Sequence, residues 1–313
     1  MALKRIFISS HSFSNSSELK KYAIEQLPNC TVDFNPSKST LSREDLISHA
    51  KDSELILVGH ETVDHQLFSA LPNLNTIAKY GVGMDNIKLD DCRQLDKSVL
   101  WCPGVNADFV AEHTLGLSLS LMRNIYHQTK LLKENVWHRN GGSSLKNKYV
   151  AIIGVGHVGS ATAKLFSSFG SQVCGVDILD KNEFLDSIGA KQVSLTEALE
   201  LADIISLHLP LTSKTNQMID KTVFKQVHKP FFLVNTSRGS IVSEEDMLTE
   251  LDATESKLLG AGLDVFEGEP NPNKKLLSHS KIICTPHIAA NCIEAKWAMG
   301  TSIIKEIKAH LSA

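Results

Sequence analysis

Short apolar segments alternate with amphipathic segments along almost the whole chain. Segments 55–58, 150–153 and 204–207 are mainly apolar and rich in β-branched residues, which is typical of buried parallel strands. Between such segments, apolar residues recur at helical spacing and are bounded by Ser, Asp, Pro or Gly. The alternation predicts an α/β fold in two parts, with a small parallel domain already complete within residues 1–103.

A more continuously apolar stretch joins the two parts. Apolar residues occupy most positions from 115 to 125, and we predict one long helix over residues 104–136, kinked near Gly116. A helix of this kind suits a domain junction or a subunit interface. Residues 293–311 predict a last helix, which we expect to return to the first part of the chain.

The stretch 149–177 predicts a strand, a tight turn, a helix and a second strand, with three glycines at G-x-G-x-x-G spacing. Gly154 permits the turn, Gly156 lets the backbone approach a pyrophosphate, and Gly159 lets the helix pack close to the strand. The helix start offers unpaired N–H groups to phosphates. Asp177, at the end of the second strand, suits the ribose hydroxyls of NAD and would repel the 2′-phosphate of NADP. The alternative is a glycine-rich turn without a cofactor.

The composition limits the partners and the compartment. The formal net charge is −3 and no basic cluster occurs, so neither nucleic acid nor an anionic membrane is indicated as a partner. No apolar run reaches the length of a membrane span, and the run at the N-terminus is too short for a signal peptide. The six cysteines form no C-x-x-C pair, which predicts reduced thiols in a cytoplasmic protein.

Three side chains of complementary chemistry follow predicted strands of the second part: Arg238, Glu269 and His287. Since ligands of open parallel sheets bind beyond the carboxyl ends of the strands, we expect the three to gather beside the cofactor. The guanidinium of Arg238 can donate two parallel hydrogen bonds to a carboxylate, and the imidazole of His287 titrates near neutrality and suits a general acid or base. Glu269 is the candidate partner of the imidazole. Taken singly, the residues also fit a surface ion pair, a turn acid and a structural histidine.

A metal-dependent hydrolase receives little support, and we predict no metal site. No H-E-x-x-H motif occurs, and His60 and His65 are five residues apart, which does not place them on one helical face.

Together, these features resemble the D-isomer-specific 2-hydroxyacid dehydrogenase family over nearly the whole chain. The resemblance rests on GVGHVG at 154–159, Asp177, LHLPLTSKT at 207–215, NTSRG at 235–239, GLDVFEGEP at 262–270 and TPHIA at 285–289. It implies two doubly wound parallel-sheet α/β domains, with a Rossmann cofactor domain inserted into a flavodoxin-like substrate domain. We accordingly expect a discontinuous substrate domain of residues 1–103 plus 288–313 and a cofactor domain of residues 104–287.

The resemblance also implies a role for each matching residue. Arg238 would bind the substrate, His287 would be the acid–base, and Glu269, not Glu267, would be its acidic partner. The backbone N–H groups of Val82 and Gly83 would hold the substrate carboxylate. The motifs place the cofactor contacts at Gly154, Gly156, His157, Val158, Gly159, Asp177, His208, Pro210, Thr215, Thr236, Ser237, Arg238, Asp264, His287 and Ala289.

The implied activity is the NAD-dependent interconversion of a D-2-hydroxy acid and its 2-keto acid by a homodimer. The segment AKYGVGMDNI at 78–87 is most like phosphoglycerate dehydrogenases; Lys79 and Arg43 are candidate phosphate ligands and equally fit solvated surface charges. Glyoxylate, hydroxypyruvate or D-lactate-type reductases are the alternatives. A rival from another class is a non-catalytic NAD-sensing binding protein, although the intact Arg/Glu/His set favours an enzyme.

Overall fold

The computed structural model describes residues 4–312, and the chain divides into two units. Unit 1 comprises the chain up to Asn106 and again from Cys292, and unit 2 is Ala107–Asn291. The boundaries expected from the sequence, at 103/104 and 287/288, each lie a few residues earlier.

The first part of unit 1 is a five-stranded parallel sheet with short helices between the strands. In chain order its elements are β1 (Lys4–Ile8), α1 (His11–Ser14), α2 (Ser17–Gln26), β2 (Cys30–Phe34), α3 (Arg43–Ala50), β3 (Leu55–Val58), α4 (His65–Ala70), β4 (Thr76–Lys79), α5 (Leu89–Gln94) and β5 (Ser98–Leu100). The strand order β2-β1-β3-β4-β5 is the flavodoxin-like order. All residues of β3 and β4 are buried, as expected for central strands of a sheet covered on both faces.

Unit 2 is built around a second parallel sheet, of seven strands. Its elements are α6 (Ala107–Met122), α7 (Ile125–Lys133), β6 (Tyr149–Ile153), α8 (His157–Ser168), β7 (Gln172–Val176), α9 (Asn182–Ser187), β8 (Lys191–Gln192), α10 (Leu195–Leu201), β9 (Ile204–Leu207), α11 (Lys221–Phe224), β10 (Phe231–Asn235), α12 (Glu244–Asp252), β11 (Leu258–Leu263), α13 (Lys274–Ser278) and β12 (Ile282–Cys284). The order is β12-β11-β10-β9-β6-β7-β8, which reverses direction between β6 and β9. This is the doubly wound order of a Rossmann domain, and ligands bind at its reversal point.

The core of unit 2 lies on both faces of this sheet. Along β6, Ala151 and Ile153 pack into one buried cluster, whereas Val150 and Ile152 pack into another. Because successive side chains of a strand point to opposite faces, the two clusters cover the two sides of the sheet. The predicted fold class, two parallel-sheet α/β domains, is therefore confirmed.

The single helix predicted over residues 104–136 is wrong. Helix α6 passes through Gly116 without interruption and ends at Met122, and α7 begins at Ile125. Asn124 adopts a left-handed conformation (φ 57°), and the N–H of Ser143 donates to the Met122 carbonyl at 2.7 Å. A continuing helix would need that carbonyl for its own i+4 amide, so the returning loop ends the helix.

Unit 1 is completed by α14 (Ile293–Ser312), the helix predicted to return to the first part. Trp297 meets Tyr22 of α2 edge to face, with 5.6 Å between ring centroids. The Tyr80 hydroxyl donates to the Lys296 carbonyl at 3.2 Å. Across residues 4–312, no helix combines the length and the apolar character that a membrane span requires.

Candidate functional site

The glycine turn between β6 and α8 is packed so closely that two of its glycines admit no side chain. Gly154 has φ +94°, and a Cβ there would lie 2.5 Å from the His208 carbonyl oxygen. A Cβ on Gly159 would lie 1.9 Å from the Gly154 carbonyl oxygen. At the reversal point of the sheet, the backbone after β6 therefore lies directly against the backbone after β9 and against the start of α8, which only glycine allows.

The third glycine of the turn has a different environment. Gly156 is exposed, and a Cβ on it would meet nothing within 4 Å. It is the N-cap of α8 and makes no side-chain cap hydrogen bond, and exposed His157 and half-buried Val158 follow it. An open surface above the start of a twelve-residue helix fits a pyrophosphate, because the first N–H groups of a helix have no partner within it.

Asp177 follows β7 and bonds to the same turn. One carboxylate oxygen accepts the N–H of Val155 at 2.8 Å, and the other accepts the N–H of Leu179 at 2.9 Å. These bonds fix the carboxylate while leaving a lone pair on each oxygen. Asp177 is therefore oriented beside the turn with acceptors available for a pair of ribose hydroxyls.

His208, just after β9, carries a buried ring nitrogen without a partner. Its Nε2 lies 2.8 Å from the Ser206 hydroxyl, but among residues 4–312 its buried Nδ1 has no hydrogen-bond partner. Burial lowers the pKa of His208 to about 3, so the ring is neutral.

The loop that follows His208 is closed by a hydrogen bond of its own. The Thr215 hydroxyl donates to the Pro210 carbonyl at 2.6 Å.

The turn after β10 is fixed mainly by its own side chains. The Ser237 hydroxyl donates to the Asn235 side-chain oxygen at 2.7 Å, and Asn235 donates in return to the Arg238 carbonyl at 2.8 Å. The Thr236 hydroxyl lies 2.8 Å from that of Thr114 on α6. The hydroxyls of Thr236 and Ser237 thus build the turn that presents Arg238, and their contact with a cofactor stays a prediction.

The structure brings Glu269 and His287 into direct contact. The imidazole Nδ1 lies 2.7 Å from one carboxylate oxygen of Glu269, whose other oxygen accepts the N–H of Phe266 at 2.9 Å. Glu267, the acid not assigned to this role, accepts no bond from the imidazole; its N–H instead donates to Glu244 at 2.7 Å. The pair is partly open to solvent, since the side chains of His287 and Glu269 are 46% and 34% exposed.

The contact shifts both ionisation equilibria. The hydrogen bond with Glu269 raises the pKa of His287 above its ordinary value, outweighing partial burial and the repulsion of the Arg238 charge. Burial acts to raise the pKa of Glu269, but the hydrogen bonds from His287 and Phe266, with the nearby positive charges, hold it below its ordinary value. Arg238 acts on both groups, so the three predicted catalytic residues share one electrostatic environment at the carboxyl ends of β10, β11 and β12.

Asp264 holds the segment that carries the imidazole. Its carboxylate is completely buried and accepts the N–H groups of Ile288 and Ala289 at 2.8 Å each and the Thr285 hydroxyl at 2.6 Å. His287 itself has φ +53°, a costly conformation for a residue other than glycine, and its N–H donates to the Asp264 carbonyl at 2.8 Å. Asp264, at the end of β11, therefore fixes the backbone on both sides of His287.

A residue that the sequence did not indicate joins this network. His113 on α6 places its Nε2 2.9 Å from the Thr285 hydroxyl and 3.6 Å from the Asp264 carboxylate. No spacing in the sequence connects His113 with residues so far along the chain, and only the packing of α6 beside β11 brings them together.

The predicted substrate turn lies in unit 1, directly after β4. Trp101 donates its indole N–H to the Val82 carbonyl at 3.0 Å. Within the part of the chain that the structure describes, the N–H groups of Val82 and Gly83 form no hydrogen bond. Two adjacent unpaired amides are suitable donors for a carboxylate.

The candidate phosphate ligands both have partners within unit 1. Arg43 forms a two-pronged ion pair with Asp64, at 2.7 and 2.8 Å. Lys79 is only 6% exposed, and its Nζ donates to the Gly59 carbonyl and, at 2.7 Å, to the Asn86 side-chain oxygen. The description of Lys79 as a solvated surface charge is therefore wrong, whereas Arg43 is partly exposed, with its side chain 29% accessible, and is already paired with Asp64.

Known proteins are similar to this chain in both sequence and fold. The family model for "D-isomer specific 2-hydroxyacid dehydrogenase, NAD binding domain" matches residues 115–289. The chain is 34% identical to the glyoxylate reductase of Thermofilum pendens, over 86% of this chain and 82% of that protein. It is 35% identical to the D-3-phosphoglycerate dehydrogenase of Archaeoglobus fulgidus, over 86% of this chain and 52% of that protein. This chain thus spans about half the length of that dehydrogenase.

A solved structure extends the similarity across the fold. The D-lactate dehydrogenase of Aquifex aeolicus, crystallised with NAD and lactic acid, is 26% identical to this chain, with a TM-score of 0.83. The match covers 99% of this chain and 96% of that one.

Proposed function

This chain belongs to the D-isomer specific 2-hydroxyacid dehydrogenase family, and from that premise we propose that it interconverts a short, unphosphorylated D-2-hydroxy acid and its 2-keto acid. The cofactor is NAD. Three features of this chain support NAD binding: the open start of α8 at Gly156, the oriented carboxylate of Asp177 and the unpaired ring nitrogen of His208.

One observation supports the catalytic part of the proposal above all others: the 2.7 Å contact between His287 and Glu269. A carboxylate at Nδ1 fixes the tautomer and leaves Nε2 as the nitrogen available to a substrate hydroxyl. It also raises the pKa of His287, so that a proton taken from the substrate is retained more firmly. An imidazole paired in this way serves as base in oxidation and as acid in reduction.

The remaining residues bind and orient the substrate. When bound, NAD supplies the hydride acceptor for oxidation and, in its reduced form, the hydride donor for reduction. Arg238 and the amides of Val82 and Gly83 hold the substrate carboxylate, which fixes the position of C2. Nε2 of His287 removes the hydroxyl proton in oxidation and returns it to the carbonyl oxygen in reduction. Arg238 also stabilises negative charge that develops on that oxygen.

The absence of a phosphate group from the substrate is inferred from Arg43 and Lys79. Arg43 already makes two charge-assisted bonds to Asp64, and Lys79 is buried among carbonyl and amide oxygens. Displacing either from these partners would cost a buried or partly buried hydrogen-bonded pair. We therefore place glyoxylate, hydroxypyruvate and pyruvate ahead of a phosphorylated acid, with 3-phosphoglycerate as the second candidate because of the similarity to phosphoglycerate dehydrogenases.

We further propose a homodimer in a reducing, cytoplasmic setting. Helix α7 buries none of its residues in this chain and exposes Ile125, Tyr126 and Leu132 by about half each, at 51%, 49% and 56%. An exposed apolar helix face is typical of a subunit interface. The six cysteines are all free, as expected where thiols stay reduced. Sedimentation velocity on the purified protein tests the dimer, and a single species at the mass of one chain would contradict it.

The test of the reaction is a substrate panel. Purified protein is mixed with NADH and glyoxylate, hydroxypyruvate, pyruvate or 3-phosphohydroxypyruvate, and the loss of NADH absorbance is followed. We expect turnover with at least one unphosphorylated acid, a product of D configuration where C2 is chiral, and a lower kcat/KM with the phosphorylated acid. Turnover with none of the four would contradict the enzyme and favour an NAD-sensing binding protein. The highest kcat/KM with the phosphorylated acid would contradict the substrate class.

A further inference from the structure

A largely buried polar cluster joins the two ends of the Gly81–Val82–Gly83 turn of unit 1. Lys79, the last residue of β4, precedes the turn, and Asn86 follows it. Lys79 is only 6% exposed, although lysine is among the residues least often buried. A buried ammonium is costly unless it is fully hydrogen-bonded, so its partners indicate what it stabilises.

Those partners connect the two ends of the turn. Lys79 donates through Nζ to the Asn86 side-chain oxygen at 2.7 Å and also to the Gly59 carbonyl. Asn86 donates through Nδ2 to the same Gly59 carbonyl at 3.3 Å and to the Glu61 carbonyl at 2.6 Å. The Gly59 N–H donates to the Glu61 carboxylate at 2.7 Å. Lys79 at the end of β4, Asn86 in the loop after it, and Gly59 and Glu61 in the loop after β3 thus form one hydrogen-bonded network.

Further backbone bonds extend from Asn86. The Asn86 carbonyl accepts the N–H of Val63 at 2.8 Å, and the Val63 carbonyl accepts the N–H of Lys88 at 2.8 Å. Residues 84–88 are thereby fixed to the loop after β3, and the side-chain bond between Lys79 and Asn86 fixes the other end of the turn. Between these fixed ends, the N–H groups of Val82 and Gly83 have little freedom to reorient.

We propose that Lys79 and Asn86 are positioning residues, which hold the N–H groups of Val82 and Gly83 in the direction that a substrate carboxylate requires. Neither side chain touches the substrate. The inference rests on the proposed function, because it assumes that these two amides bind the carboxylate. It also gives the buried lysine a role that does not involve a phosphate group.

The test separates positioning from general stability. Lys79→Met removes the ammonium while keeping a side chain of similar length, and Asn86→Leu removes all three side-chain hydrogen bonds of Asn86 while keeping the same branched shape. Lys97→Met is the matched control, because Lys97 also donates to an asparagine oxygen, that of Asn75 at 3.4 Å, but at the amino end of β4. KM and kcat are measured for the 2-keto acid that the unsubstituted protein reduces best, with KM for NADH in parallel.

We expect Lys79→Met and Asn86→Leu each to raise KM for the keto acid about ten-fold, the loss typical of a charge-assisted hydrogen bond that positions a ligand. KM for NADH should stay within two-fold, and Lys97→Met should change neither constant. Because the two side chains act through one bond, the double variant should lose less than the product of the single losses.

The outcomes also separate this inference from the function on which it rests. No turnover by the unsubstituted protein would reject the proposed function itself. Turnover with unchanged keto-acid KM in folded Lys79→Met and Asn86→Leu would reject only the positioning role, as would an equal rise in KM for NADH. If these variants do not fold, Asn86→Asp keeps an acceptor for Lys79 and loses the two Nδ2 bonds; an unchanged keto-acid KM in that variant would also reject the positioning role.

Discussion

Replacing Glu269 by glutamine removes one negative charge beside His287 and almost no volume. In the native site one carboxylate oxygen accepts the Phe266 N–H and the other faces the imidazole Nδ1. A glutamine has only one oxygen. If that oxygen faces the imidazole, the Phe266 bond is lost; if it faces Phe266, the NH2 group faces Nδ1 and can bond only to the tautomer without a proton there, which is the wrong tautomer for the reaction. The substitution therefore weakens the support of the imidazole without opening a cavity.

The size of the effect follows from the geometry of the pair. A hydrogen bond to a charged partner contributes roughly 1.5–3 kcal/mol when it is well shielded. His287 and Glu269 are 46% and 34% exposed, so solvent screening reduces the contribution to roughly 1–2 kcal/mol. If this stabilisation is present in the transition state, Glu269→Gln should lower kcat/KM by roughly 5- to 30-fold.

The pH dependence gives a second, independent measure. Reduction needs a protonated imidazole, so kcat/KM for the keto acid should fall as the pH rises through the pKa of His287, which lies above its ordinary 6.5. In Glu269→Gln the main cause of that rise is gone, while burial and Arg238 still lower the pKa. The fall in rate should therefore occur at lower pH in the variant.

The assay is the initial rate of NADH loss at saturating NADH and limiting keto acid, over a series of overlapping buffers. Glu267→Gln is the matched control, since it changes the neighbouring acid that does not contact the imidazole, and it should leave the profile in place. A Glu269→Gln profile superimposed on that of the unsubstituted protein would refute the assignment of Glu269. A shift to higher pH would refute the sign of the argument.

Two further predictions concern the cofactor turn. Asp177→Ser should raise the ratio of kcat/KM with NADPH to that with NADH by about 10- to 100-fold, because a like charge facing a 2′-phosphate costs several kcal/mol; an unchanged ratio would remove Asp177 from cofactor selection. Gly159→Ala should cost about 1–3 kcal/mol of folding free energy, since its Cβ would meet the Gly154 carbonyl at 1.9 Å. Gly156→Ala, whose Cβ meets nothing within 4 Å, should have the same melting temperature as the unsubstituted protein in calorimetry but bind NADH more weakly. Equal melting temperatures for the two alanine variants would contradict the packing argument.

The fold was predictable where local pattern and burial agree. The strands Leu55–Val58, Ile204–Leu207 and Phe231–Asn235 have the bounds predicted from their mainly apolar sequences, because strands buried on both faces need apolar residues at successive positions. The break between α6 and α7 was not predictable, since the N–H that donates to the Met122 carbonyl belongs to Ser143, in a loop 21 residues further along the chain. The short helices α1 and α5, of four and six residues, have too few turns for a helical period to show.

The candidate site divides along similar lines. Glycine spacing and strand ends were enough to indicate Gly154, Gly159, Glu269 and His287, and the family resemblance selected Glu269 rather than Glu267 as the partner of His287. The buried hydrogen bonds of Asp264 and the approach of His113 depend on tertiary packing, which leaves no local trace in the sequence. The same holds for Lys79: its charge in the sequence favoured a surface or ligand-binding role, and only the fold shows that its partners include Gly59 and Asn86.

The most direct test of the central claim is the keto-acid reductase activity of His287→Ala beside that of the unsubstituted protein, with NADH binding measured in both. We expect kcat to fall by roughly two to four orders of magnitude, the usual effect of losing a general acid, while the dissociation constant for NADH rises by far less, since His287 is only one of many cofactor contacts. A kcat that survives the substitution would contradict the account, because no other group in it supplies the proton.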